Sequence, residues 1–277
     1  MKTLFSLLII TFLPILSFAQ DAASKNVQAG LVFGSGLNFQ ELRTDYFNSG
    51  GAGTDLTVGM NFNFNFTETI GLCTGAEFDF SHTHYDVDST FSTIFYHYSD
   101  KQIIQKRDYS SSETFGTFLL RSRTDKSIYL TIPTMFLFRT KFIGYFRYFG
   151  KFGLKNSFLL KTESFDEGID FGTNAITGTA VNTNANKDNM TTKGNMFFYK
   201  GAIGIAGGAE WNFSGSTSLV GELGYYYGIT PLYWERDTDN EKLSLFTSGF
   251  NNGKGNDVYN PIKARQSQLM LKVSILF

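Results

Sequence analysis

Residues 265–277 read Arg-Gln-Ser-Gln-Leu-Met-Leu-Lys-Val-Ser-Ile-Leu-Phe, and this stretch decides the fold. Successive side chains of a strand point to opposite faces. Leu269, Leu271, Val273, Ile275 and Phe277 therefore share one face, and Gln268, Met270, Lys272, Ser274 and Leu276 share the other. The first face is wholly apolar and the second is mixed. At the edge of a sheet in water such a row invites aggregation, whereas a strand that closes a barrel in lipid requires it.

The same alternation recurs upstream at 27–39, 56–67, 70–80, 128–138, 142–160, 199–213 and 218–229. It is cleanest where Leu56, Val58, Met60, Phe62, Phe64 and Phe66 alternate with Thr57, Gly59, Asn61, Asn63, Asn65 and Thr67. A soluble sandwich also alternates, but three phenylalanines ending at a short turn, 67–69, match an aromatic girdle at a membrane interface. Pro133 lies inside the fourth segment and predicts a bulge or ladder irregularity there, because it has no N–H to donate.

Long connections (81–124, 161–198 and 230–264) alternate with short turns near 67–69, 140–141 and 212–217. That rhythm predicts an all-β, antiparallel up-and-down transmembrane barrel, with short periplasmic turns, long extracellular loops and both termini in the periplasm. Eight strands are expected; ten is the alternative, if 91–98 and 115–121 add a hairpin. The composition agrees: 30 Phe, 14 Tyr and 28 Gly against 4 Pro and 1 Cys favour strands and close packing.

A formal net charge of -1 gives no general attraction to nucleic acid, and no nucleic-acid partner is expected. Residues 1–19 read as a secretory signal, with Lys2 in the n-region, an apolar run over 4–16, and Ser17 and Ala19 before cleavage ahead of Gln20. A membrane-anchoring helix is the other reading of that run, which Pro14 interrupts. Residues 20–277 then form a single barrel domain. Cys73 is alone, so neither an internal disulfide nor a multi-thiolate metal site is expected.

The run Tyr129-Leu130-Thr131-Ile132-Pro133, the glycine-rich 201–208 followed by Glu210, the 221–224 strand and the terminal Leu-Lys-Val-Ser-Ile-Leu-Phe together resemble the PorT-like outer-membrane β-barrel family of Gram-negative bacteria. The resemblance covers nearly the whole mature chain. It implies an eight-stranded outer-membrane barrel with no catalytic residues, in a family one branch of which is associated with type IX secretion.

The inward faces collect Glu77, Asp79, Glu210 and Glu222 against Arg147, Lys151, Lys155 and Lys272. An eight-stranded lumen is filled by side chains, so these charges are expected to pair as a two-layer ionic core. Counting from the inner turns matches Glu222 with Lys272, and Glu77 or Asp79 with Lys151. A proton or ion pathway is the competing use of such charges.

His82, His84, Asp86 and Asp88 cluster past the third strand, with His97 further on, and offer metal-binding or hydrolytic chemistry at the rim. A solvated strand end is the simpler reading. Asp237, Asp239 and Glu241 suggest calcium, but Lys242 and Ser248 stand where an EF-hand loop needs Gly and Glu. No cofactor motif is present. Two aromatic groups, Phe91, Phe95, Tyr96, Tyr98 and Tyr109, and Tyr233, Trp234, Phe246, Phe250 and Tyr259, form either a binding surface or packed strand extensions.

The expected function is that of a non-enzymatic outer-membrane barrel with large external loops, structural or interacting, including as an accessory to protein secretion. A small pore and a rim hydrolase are the alternatives. The expected partners are outer-membrane lipid and lipopolysaccharide, the barrel-assembly machinery through the strand ending at Phe277, and secretion-system proteins.

Overall fold

The computed structural model describes residues 27–277 apart from 92–93, 106–107, 109–114, 174–179, 193–195, 216, 234–244, 249–257 and 261. The expected leader at 1–19 and the Asp237–Asp239–Glu241 group lie outside the described residues. In chain order the strands are β1 (Val27–Leu42), β2 (Phe47–Ser49), β3 (Ala52–Asn65), β4 (Ile70–Val87), β5 (Ile94–Ser99), β6 (Gln102–Ile104) and β7 (Gly116–Arg139). They continue as β8 (Phe146–Gly172), β9 (Asn182–Met190), β10 (Tyr199–Ser214), β11 (Thr217–Gly228), β12 (Phe246–Ser248), β13 (Val258–Asn260) and β14 (Ala264–Leu276).

Eight of these close an antiparallel ring in the order β7-β4-β3-β1-β14-β11-β10-β8, with β8 pairing back onto β7. The C-terminal strand sits between β1 and β11, with Phe33 opposite Val273 and Tyr225 opposite Leu269. Its expected apolar face is the outer wall: Leu269, Leu271, Val273 and Ile275 are all exposed, as are Leu31 and Phe33 on β1 and Ile203 and Ile205 on β10. Phe277 donates its N–H to the Ala29 carbonyl at 2.8 Å and ends the seam. A belt of exposed aromatics, including Phe64, Phe66, Tyr148 and Trp211, marks the end carrying the short turns.

Those turns need left-handed residues, which glycine supplies without a Cβ clash: Gly144 has φ 64° and Gly215 φ 48°. Pro133 behaves as expected. The β4–β7 ladder lapses opposite Ile132 and Pro133, then resumes at Thr74–Thr134 in the same register.

The ring has eight strands, and the segments 81–124 and 161–198 are largely not loops. β4, β7 and β8 run well past the apolar belt to Val87, Gly116 and Gly172, and carry β2, β5, β6 and β9 as short flanking strands. Residues 115–121, read as half of an added hairpin, are mostly the upper end of the fourth barrel strand, with β5 paired onto it above the ring. Periodicity missed this because β8 slips register against β7 between Ile128 and Tyr129, where Leu160 is the extra residue. Inward positions are odd below it, as at Lys155 and Ser157, and even above it, as at Ser164 and Asp166.

Above the belt a second core fills the barrel mouth. Phe47, Tyr85, Ile94, Tyr96, Phe118, Phe246 and Tyr233 are essentially inaccessible and pack with Leu120, Met190 and Ile262. Of the aromatic groups singled out in the sequence, Tyr96, Tyr233 and Phe246 are thus core and not binding surface. The side chains of Phe91, Tyr109, Trp234, Phe250 and Tyr259 fall outside the described residues.

Candidate functional site

The candidate site is the polar column inside the ring, where all eight charged residues picked from the sequence point inward. At the turn end, Arg147 on β8 forks onto Glu210 of β10, its register neighbour, with Nε to Oε2 at 2.7 Å and Nη2 to Oε1 at 2.8 Å. Arg139 at the end of β7 donates to Gln28 and Asn65, each at 3.0 Å.

One level up, the expected partners are exchanged. Glu222 and Lys272 are register neighbours. Yet Lys272 Nζ bonds both carboxylate oxygens of Glu77 at 2.9 and 2.7 Å, and Glu222 pairs with Lys151. Lys151 therefore does not bind Glu77 or Asp79. Adjacency in the ring misleads because the charges reach over intervening strands wherever those present small residues. Lys272 lies against Gly34 of β1, where an added Cβ would meet the lysine Cγ at 2.9 Å. Lys151 and Glu222 bridge across β10, whose residues in register with them are Ala206 and Gly208. The glycine-rich 201–208 strand supplies that space, and also a seat for the Tyr226 ring: a Cβ at Gly204 would come within 2.4 Å of it.

A third level sits below the outer rim. Lys155 Nζ is 2.9 Å from Asp79 Oδ2, which also accepts from the Thr131 hydroxyl at 2.7 Å, and it donates to Gln268 at 2.9 Å. Asp55 accepts from Asn38 at 2.9 Å and from Gln268. Lys200 donates to Gln266 at 2.8 Å and lies 4.1 Å from the Tyr129 ring centroid. The expected two layers are three. The extra members Asp55, Arg139, Lys200, Asn38, Gln266 and Gln268 were legible only as inward strand positions, since they lie near strand ends or are uncharged.

A further ion pair crowns the column, inside the outer core. Arg123 on β7 forks onto Asp166 on β8 at 2.6 and 2.7 Å, with both side chains fully buried. Its guanidinium carbon lies 4.9 Å from the Phe246 ring centroid and 5.3 Å from that of Tyr96. Burial alone would weaken the Arg123 proton, but Asp166 beside it holds the guanidinium firmly charged, above its ordinary range. Asp125, also fully buried, accepts from Ser164 at 2.6 Å and from the Tyr233 hydroxyl at 2.8 Å, and burial pushes its carboxyl up. Alternation does not reveal this cluster, because Arg123 and Asp166 lie in segments whose composition predicts loops.

Of the rim histidines, His82 and His84 share the outward face of β4, opposite Lys126 and Thr124 of β7, and His97 stands apart on β5. His84 Nε2 is 3.2 Å from Asp86 and its Nδ1 is 2.8 Å from the Thr124 hydroxyl. Asp88 instead receives the Thr90 N–H at 2.8 Å and the Asn48 amide at 2.7 Å. His97 aligns with Thr117 and His84 with Thr124, so they stand roughly 23 Å apart along β7. Among the described residues no three His, Cys, Asp or Glu side chains converge as metal ligands.

An outer membrane protein beta-barrel domain model matches residues 18–233. No curated protein matches the chain. Solved structures to which it is similar include the outer membrane protein OprG of Pseudomonas aeruginosa, at 10% identity over 91% of this chain and 96% of that one, with a TM-score of 0.44. The attachment invasion locus protein Ail of Yersinia pestis is 9% identical over 91% of this chain and all of its own, with a TM-score of 0.31. At such scores neither likeness bears on function.

Proposed function

The chain belongs to the outer membrane protein beta-barrel domain family, and from that premise we propose a non-enzymatic, non-conducting anchor that holds a folded β-platform outside the cell. One observation carries this reading: among the described residues every level of the inside is crossed by paired side chains, and the space left at the turn end between Asn61, Asn63, Arg139 and Lys151 is a small pocket and not a through-path. Three polar levels fill the lumen within the belt, and the Arg123–Asp166 pair with its aromatic core closes the outer mouth. An eight-stranded ring leaves room for side chains and none for a channel once those are placed. The effort spent on ordering β2, β5, β6 and β9 above the belt speaks for display as the purpose.

On this reading the surrounding lipid and lipopolysaccharide contact the apolar wall, and the barrel-assembly machinery receives the strand ending at Phe277. A secretion-system protein, the partner suggested by the PorT-like resemblance, would dock on the platform. Against the hydrolase alternative stands the distance of His97 from the His84–Asp86 pair.

The test is topological. Asn186→Cys on the platform and Glu68→Cys at the exposed 67–69 inner turn are probed with a membrane-impermeant maleimide. Labelling of the first in intact cells, and of the second only after permeabilisation, is the expected result. The reverse pattern would refute external display.

A further inference from the structure

Outside the lumen, the outer face of the extended sheet carries an open depression lined by Ser122, Thr124, Phe165, Asp166, Glu167, Asn186 and Asp188. We propose that it is a carbohydrate-binding site for neutral or amino sugars, a function of the platform that rests on its external display.

Register builds the site. Ser122, Glu167 and Asn186 form one row across β7, β8 and β9, and Thr124 and Phe165 begin the next row toward the membrane. Asp188 completes that second row through a bulge. β8 and β9 slip between Ser164 and Asp166, giving β9 an extra residue there, and Asn189 adopts a left-handed φ of 55°. A bulge re-aims side chains, and an asparagine held at positive φ is a backbone cost borne locally. The floor is rigid because Arg123 and Asp166 alternate with these residues and lock the same two strands from the buried side.

The chemistry suits a pyranose. The Glu167 and Asp188 carboxylates accept from sugar hydroxyls, the Ser122 hydroxyl and the Asn186 amide both donate and accept, Thr124 shares its hydroxyl with His84, and the Phe165 ring offers an apolar surface to the C–H face. Lys126, outside the lining, holds the ring with Nζ 3.8 Å from its centroid. The donor set argues against other small ligands. Its third carboxylate, Asp166, is held by Arg123 on the buried side, which leaves too few for a metal and matches the absence of any three-ligand group among the described residues. Among the described residues Glu167 and Asp188 enter no ion pair, and their charge repels sulfated and uronic sugars.

Position leaves two sources for such a ligand. Glu167 lies seven residues beyond Leu160, the top of the lipid-facing row on β8, so after strand tilt the site stands roughly 15 Å above the belt. The sugars of the cell's own lipopolysaccharide reach that height, and so would a glycan from another surface.

The experiment is titration of the purified full-length protein in detergent, followed by saturation-transfer NMR. Three probes are compared: core oligosaccharide released from the producing cell's own lipopolysaccharide, an N-acetylglucosamine trimer, and a heparin tetrasaccharide. Saturable binding of the first, or of the second, supports the site and names its source, provided that Glu167→Gln/Asp188→Asn and Phe165→Ala each weaken it at least tenfold. Binding of heparin alone, equal binding by wild type and variants, or no saturation by any probe overturns it. These substitutions are on the surface, and an unchanged circular dichroism spectrum confirms the fold. Because the purified protein is read directly, failure here leaves the anchor reading standing, whereas failed surface labelling removes the display on which the function rests without changing the binding measured on the purified protein.

Discussion

Lys272→Met tests the ionic column at its most consequential bond. The substitution keeps an unbranched stem against Gly34 but removes both bonds to Glu77, which is 3% exposed and has no other cation bonded to it. Leaving a buried carboxylate alone costs about 3–5 kcal/mol, far more than a surface pair is worth. Glu77→Gln alone should cost less, because the ammonium left behind still has Glu222 as its register neighbour. The double variant should recover part of the loss, with a coupling of about 1–3 kcal/mol. Urea unfolding in detergent micelles gives the four stabilities, and Trp211, on the outer wall, reports departure from the apolar phase by its fluorescence. A parallel cycle on Glu222 and Lys272 should couple more weakly, although they are the register neighbours. If Glu77 and Lys272 prove additive, or if Glu222 couples to Lys272 more strongly than Glu77 does, the cross-strand pairing described here is wrong.

Two more expectations concern the outer core. Arg123→Met leaves Asp166 buried without its partner, and should raise the rate of proteolysis of the segments above the belt at least tenfold while the barrel keeps its strand content by circular dichroism; equal resistance would refute the keystone role of this pair. Asp125 has its folded pKa raised by burial above the ordinary 3.8, so its favourable contribution is present below 3.8 and is lost as pH rises through the raised value. The outer core should therefore resist protease better as pH falls from neutral toward the carboxylate range, and Asp125→Asn should be more resistant at neutral pH with less of that pH dependence. An unchanged pH profile in the variant would show that another group is responsible.

The ring was legible in the sequence because lipid imposes a strict period of two: every exposed residue from Leu269 to Ile275 on β14 was placed correctly by counting alternate positions. The inward charges followed from the same count. Their pairing did not, because it depends on what lies between them. Gly34, Ala206 and Gly208 open routes across a strand, and a one-dimensional count treats them only as spacers. The region above the belt was read as loops for a different reason. Once out of lipid, β7 and β8 no longer need an apolar outer face, so Ser122, Thr124, Glu163 and Glu167 enter it beside Phe165. The Leu160 bulge then inverts the phase, which hides Ser164 and Asp166 as inward residues.

The central claim is that the lumen is closed, and conductance of the purified protein in a planar lipid bilayer tests it most directly. The account predicts a silent membrane for the wild type, and also for Lys151→Ala/Glu222→Ala, in which the remaining levels and the outer core still fill the lumen. Reproducible stepwise conductance from the wild-type protein would contradict it.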